Sequence, residues 1–289
     1  QTYDGNESPA TAAAKDSADN ALGGVAIGIT YDGSTTAPTN AGSYAVVATI
    51  DDTNYSGTAS GTLVVEKAAA TVTLGSLTQT YTGSALAVTS TTDPVGLDVT
   101  YSYSADPINA GTYTATGTIN NTNYSGTASD TLTINQAALT ATLGSLSEAY
   151  GDAVPTMSEW AATLTYSAFA GTDTSSVVNT SGLGVAYNPE VVGDVGNYTA
   201  TPNGLTASNY TITHAAGTLA VTKADTTISL DALADLSYTS SPITLDATSE
   251  DGRTITYFVT GAATAVNNTV TLTSAGDITV VAYVEATSN

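Results

Sequence analysis

The sequence predicts an all-β chain of four tandem β-sandwich modules, on three observations. Apolar and polar residues alternate in short runs, the period of a strand with one buried face. Gly, Asn and Asp punctuate those runs, and no sustained 3.6-residue period interrupts them. Long stretches of the chain also recur: the octet TNYSGTAS stands at 53–60 and again at 122–129, 69 positions on. Recurrence at a fixed period marks an array of one structural unit.

The first module, residues 1–68, opens on QTYDG (1–5) and carries an Ala-rich stretch over 12–24. In SYAVVATI (43–50), Tyr44, Val46, Ala48 and Ile50 share one face, and Leu63 and Val65 do so in the closing strand. The second, 69–137, repeats the plan with Val72 and Leu74 in an opening strand, QTYTG (79–83), NAGTY (109–113) and a closing strand holding Leu132 and Ile134. QTYTG follows QTYDG at an offset of 78 instead of 69, so the first module carries nine extra residues. The third, 138–224, is stretched: SEAYGD (147–152), VGNYTAT (195–201), ASNYTIT (207–213) and GTLAVTKA (217–224) keep the order. The fourth, 225–289, keeps it more loosely, through DTTISLDAL, LSYTSS and SAGDITVVAYVEATSN, with Ile278 where Tyr stood. Joints fall near Ala68, Ala137 and Ala224. VVEKAAATVTL, TINQAALTATL and AVTKADTTISL run from strand to strand without a Pro/Gly/Ser linker. Short joints of strand-forming residues leave little freedom, so the expected assembly is an elongated, stiff rod.

NAGSY, NAGTY and DVGNY lead into the strand that holds Tyr44, Tyr113 and Tyr198. They are similar to the tyrosine corner of immunoglobulin-like domains, where a Tyr ring packs inward and its OH bonds nearby backbone. Two residues on, where antibody domains place Cys, stand Val46, Ala115 and Ala200. The expectation is therefore a disulfide-free Ig-like sandwich. The alternative is a compact β-grasp-like module.

Charge excludes several function classes. Asp+Glu number 26 against 4 Lys+Arg, a net charge of −22. Phosphate backbones and anionic membrane surfaces would be repelled, which argues against nucleic acid and membrane partners. The charge supplies solubility and repulsion between chains. So few Lys and Arg also leave little for trypsin-like proteases to cut. With no Cys there is neither disulfide nor thiolate metal site. No apolar run approaches the ~18 residues of a membrane span.

These residues carry a family resemblance. QTYDG, NAGSY and TNYSGTASGTLVVEKA resemble the YDG/MBG-type repeats of giant bacterial surface proteins. AYGDAVP, FAGTDTSSVV and ASNYTIT resemble the related YGX-type repeat, and ITYFVTGAATAVNNTVTLTSAGDITVVA resembles bacterial Ig-like modules. The resemblance implies a secreted, cell-surface adhesin, stalk or fibre in which repeats act as non-catalytic extenders. It implies neighbouring repeats or copies of the same protein as partners, with host or surface glycan bound through regions outside this chain. It carries no catalytic, cofactor or metal residues.

Other chemistry finds thin support. His214 is the single His, set in a strand, without the base-and-orienter company that a hydrolase triad needs; an exposed strand face is expected. Asp51-Asp52 is matched by Asn120-Asn121 in the next module, so the shared property is turn formation, and Glu250-Asp251-Gly252 reads likewise. Calcium is the one cofactor weighed, yet no EF-hand or repeat-type calcium loop occurs and no ligand set recurs at the joints. Lys67 and Lys223 occupy equivalent places, but Gln136 stands between them in the series, so a Lys–Asn crosslink is not a repeat property. Trp160, the single Trp, fits a core plug better than the exposed aromatic of a glycan-binding module. At the ends, the first module lacks its opening strand and the last lacks its closing strand. The expectations are a mature or excised window of a longer array, or a fibre subunit whose strands are exchanged between chains.

Overall fold

A computed structural model describes residues 1–233, 237–238, 242–250 and 252–284. Asp251, most of LSYTSS and the last five residues, named above, lie outside the described residues. The chain divides into two compact units. One comprises Gln1–Leu139, Ala168–Asn179 and Thr206–Ile212; the other comprises Thr140–Ser167, Thr180–Leu205 and Thr213–Asn289.

Repeat 1 forms an antiparallel sheet of β1 (Ile27–Tyr31), β2 (Gly42–Ile50) and β3 (Thr58–Val65) in that order. The chain start lies parallel to the end of β3, where Thr2 bridges Glu66 and the Tyr3 amide donates to the Glu66 carbonyl at 2.9 Å.

Repeat 2 shows the complete plan. Its strands are β4 (Ala68–Ala69), β5 (Thr71–Gly75), β6 (Thr78–Thr80), β7 (Thr89–Asp93), β8 (Val99–Tyr103), β9 (Gly111–Ile119), β10 (Tyr124–Ser125) and β11 (Thr127–Asn135). One sheet runs β6-β11-β9-β8, and β5 pairs antiparallel with β7 in a second layer. The opening strand serves both layers: after the turn at Gly75-Ser76, β6 lies parallel to β11. A Cβ on Gly75 would stand 2.8 Å from Thr89 Oγ1 and one on Gly144 2.9 Å from Thr163 Cβ, so the Gly of the recurring LGSL makes room for a neighbouring segment. Val72 and Leu74 of β5 lie over Gly117 of β9. Between the layers Ala115, Ile119, Leu132 and Ile134 are buried. This is a two-layer sandwich of immunoglobulin type. A β-grasp module needs a helix across its sheet, and the described residues of repeats 1 and 2 form none.

Repeat 3 spans both units. Its strands are β12 (Ala137–Thr142), β13 (Ser145–Ala149), β14 (Thr165–Tyr166), β15 (Gly184–Asn188), β16 (Gly196–Asn203), β17 (Tyr210–Ala215) and β18 (Gly217–Thr222), in sheets β13-β18-β16-β15 and β14-β12-β17. Strand periodicity does not anticipate its helix α1 (Met157–Thr163). Thr156 caps α1 by accepting from the Glu159 amide, while the Glu159 carboxylate accepts from the Thr156 amide at 2.6 Å. The helix sets Trp160, 0% exposed, among Leu143, Tyr198, Ala200, Leu219 and Val221, with Nε1 donating to Tyr187 OH at 2.8 Å.

The stretch expected as the fourth module contains β19 (Ile228–Leu230), β20 (Ile243–Thr244), β21 (Ala247–Ser249), β22 (Ile255–Gly261), β23 (Ala263–Val266), β24 (Thr269–Leu272) and β25 (Ile278–Val284). The pairings are β19-β21, β20-β24-β23 and β22-β25 around a core of Leu245, Ala263 and Val270. Ile278 packs against that core.

Candidate functional site: the joint between successive repeats

The recurring motifs converge at the joints between repeats, and two such joints lie wholly inside the first unit. Each is built from a presenting loop on one repeat and a receiving edge on the next.

The presenting loop is the Asn-Ala-Gly turn. Tyr44 OH donates to the Asn40 carbonyl at 2.8 Å, and Tyr113 OH to the Asn109 carbonyl at 2.9 Å. Each tyrosine thereby fixes the backbone of the very Asn whose side chain faces the next repeat. In repeat 3, Tyr198 OH donates to the Asp194 carbonyl at 2.8 Å and accepts from the Asp194 amide at 3.0 Å.

The receiving edge is the Asn-Tyr of the octet. At the first joint, Asn123 Oδ1 accepts from the Ala41 amide at 2.9 Å and Asn123 Nδ2 donates to Asn40 Oδ1 at 3.0 Å. At the second, Asn209 Oδ1 accepts from the Ala110 amide at 2.9 Å and Nδ2 donates to Asn109 Oδ1 at 2.9 Å. A carboxamide offers both donor and acceptor, so each Asn closes two bonds at once. Beside this clamp the ring of Tyr3 meets Tyr124 edge-on with centroids 5.4 Å apart, and Tyr81 meets Tyr210 likewise at 5.5 Å.

A joint strand completes the connection. The Ala68 and Ala70 amides donate to the Asn123 and Ser125 carbonyls, each at 2.9 Å, and Ala137 donates to Asn209 at 3.0 Å. A Cβ on Gly126 would collide with the Ala70 carbonyl, so the octet's glycine makes room for the strand. Lys67 Nζ donates to the Asn121 carbonyl at 2.6 Å, and Gln136 Nε2 does the same to Ser208 at 3.0 Å. Lys and Gln are interchangeable here as donors. The Asn121 side chain is engaged elsewhere, its Oδ1 accepting from the Asn123 and Tyr124 amides. Asp52 Oδ1 holds the Asn54 and Tyr55 amides in the same way, so this Asp/Asn position caps a turn.

The second joint has an addition that sequence reading missed. Asp173, from the stretched part of repeat 3, accepts from Tyr81 OH at 2.8 Å and Tyr210 OH at 2.7 Å through one oxygen. The Ala170 amide donates to Tyr210 OH at 2.9 Å, and Gly171 lies against Gly83. Burial pushes both tyrosines above their usual pKa, and the Asp173 carboxylate adds to the rise. The available signal was faint: one Asp in a segment that repeats 1 and 2 lack.

Two side chains singled out above fall elsewhere. His214 lies half-buried in β17 with Nε2 enclosed and unpartnered among the described residues, in place of the expected exposed face. Through that nitrogen it makes no relay to a hydroxyl. Trp160 lies in the core, so no glycan-binding face forms on it. Among the described residues, no three of His, Asp and Glu gather as a metal site.

Fold and joints together define a tandem-repeat, all-β protein. MBG domain matches cover residues 1–69 and 70–138, and an MBG domain of YGX type covers 139–220. The chain belongs to the MBG domain family, and such repeats point to a structural protein of the cell surface. No curated protein matches it. Among solved structures it resembles surface layer protein SbsC, domains 4–9, at 14% identity and a TM-score of 0.18. That match covers 84% of this chain and 48% of the other, so this chain spans about half the length of that structure.

Proposed function

We propose that this chain is a non-catalytic extender: a stalk segment of a secreted bacterial surface adhesin or extracellular fibre. The observation that supports it is the duplicated joint, in which equivalent residues of successive repeats meet through equivalent bonds. Backbone, carboxamide and aromatic contacts at one joint restrain bending as well as separation. The partners of each repeat are its neighbours, and any ligand is bound by regions outside residues 1–289. The rod is tested by small-angle X-ray scattering on the full chain beside its Asn123→Ala/Tyr124→Ala variant. An elongated particle whose flexibility rises in the variant is the expected result. A globular particle, or one indifferent to the variant, overturns the reading.

A further inference from the structure

Both joints carry the same pair of tyrosines. Tyr3 and Tyr81 are the aromatic residues of QTYDG and QTYTG, and Tyr124 and Tyr210 follow the clamping Asn123 and Asn209. Each pair meets edge-on, with ring planes 80° apart and centroids 5.4 and 5.5 Å apart. An edge-on pair at this separation sets the rim of one ring against the face of the other. The carbons ortho to each hydroxyl belong to that rim, so rocking of either ring brings two of them together. The surroundings of the two pairs differ. Tyr3 and Tyr124 are half-buried and reachable from solvent. Tyr81 and Tyr210 are 6% and 3% exposed, and both hydroxyls donate to Asp173 Oδ2, at 2.8 and 2.7 Å. A carboxylate oxygen that already accepts from both phenols is placed to take the proton each sheds on losing an electron. The chain has 17 Tyr and no Cys, so oxidation can tie its joints through tyrosine and not through disulfides.

We propose that Tyr3–Tyr124 and Tyr81–Tyr210 are modification sites, at which oxidation staples each joint through a dityrosine carbon–carbon bond. The oxidant is hydrogen peroxide acting through a haem peroxidase. Each phenol loses one electron to the haem and sheds its O–H proton. At the first joint that proton goes to water; at the second it passes along the bond to Asp173. The two phenoxyl radicals then couple between ortho carbons, forming one C–C bond. The two ortho C–H bonds at the new link break, and their protons return to the oxygens, restoring both phenols. The pair has given up two electrons and two protons, which reduce one peroxide to two waters. Because both rings belong to one folded chain, their effective concentration exceeds that of tyrosines on separate chains. The inference goes beyond the extender reading and stands on ring geometry, not on that reading.

The test treats the intact 289-residue chain, in dilute solution, with hydrogen peroxide and a haem peroxidase. Dityrosine fluorescence follows the reaction, and mass spectrometry after cleavage at Asp and Glu identifies the linked peptides. The expected product is a monomer short of two hydrogen atoms per link. Tyr3 should join Tyr124 early, and the buried Tyr81 should join Tyr210 later. Tyr124→Phe keeps the ring and should lose the first link alone, and Tyr210→Phe the second alone. Tyr55→Phe, at a ring 47% exposed, should leave both links in place. In the stapled chain the Ala68 amide, which bonds to Asn123, should exchange more slowly than before oxidation. Absence of the Tyr3–Tyr124 link overturns the proposal, and a first link without a second overturns it for the second joint. Links scattered over the exposed tyrosines, or formed only as covalent dimers that grow with chain concentration, overturn it as well.

Discussion

Asn40 and Asn109 each act twice. Their carbonyls are held by Tyr44 and Tyr113, and their side chains then meet Asn123 and Asn209. Removing either partner of such a pair takes away the carboxamide bond between them. A double-mutant cycle of Asn40→Ala and Asn123→Ala should therefore show coupling of about 1 kcal/mol. Hydrogen exchange at the Ala68 and Ala70 amides reads this joint alone, without assuming that the whole chain unfolds in one step. Asp173→Ala strands two buried tyrosine hydroxyls, an expected loss of about 1–3 kcal/mol at the second joint and none at the first. The raised tyrosines set the pH dependence. Their folded pKa values exceed the unfolded value near 10. The folded state thus holds its protons more tightly, and its extra stability is complete below pH ~10 and lost as pH climbs through the folded values. An absorbance titration of tyrosinate should show a late-titrating class that shrinks in Asp173→Asn.

At the scale of elements, the joint strand is the sensitive part. Gly126→Ala should expel Ala70 from its place, cost about 1–3 kcal/mol and deprotect the Ala68 amide. Helix α1 depends on its cap, so Thr156→Ala should cost about 1 kcal/mol and loosen Trp160, visible in its fluorescence. The strands were legible because alternation such as Tyr44/Val46/Ala48/Ile50 is a direct readout of a two-sided sheet. The turn role of Asp52 was legible from Asn121 in its place. Helix α1 was not, since seven residues are too few to establish a 3.6 period. Its Thr156/Glu159 capping pair was the sign to read. The joint was half legible: the octet announced a shared task, but nothing in spacing says that Asn123 meets an Asn 83 positions earlier. Such pairing is a property of the folded arrangement. The Asp173 clasp arises in a segment without counterpart, where internal comparison has nothing to compare.

For the whole chain, 4 cationic residues among 289 make trypsin a sparing probe of order. Lys15 stands outside regular strands, its side chain 51% exposed, whereas Lys67 leads directly into the bonded joint strand. Cleavage should start after Lys15, and cleavage after Lys67 should lag until the joint opens, sooner in Asn123→Ala; mass spectrometry of a timed digest gives the order. The joints also bear on how such a gene can change length. Repeats 1 and 2 carry the same presenting Asn-Ala-Gly and the same receiving Asn-Tyr-Ser-Gly. An in-frame duplication or deletion of one 69-residue period there yields a new junction whose halves already match. An in-frame change in copy number can thus lengthen or shorten the array without inventing an interface. Repeat 3 breaks this interchangeability, with Asp194 in the Asn position and Asp173 reaching back to Tyr81, and so marks a boundary that copy-number drift does not cross freely.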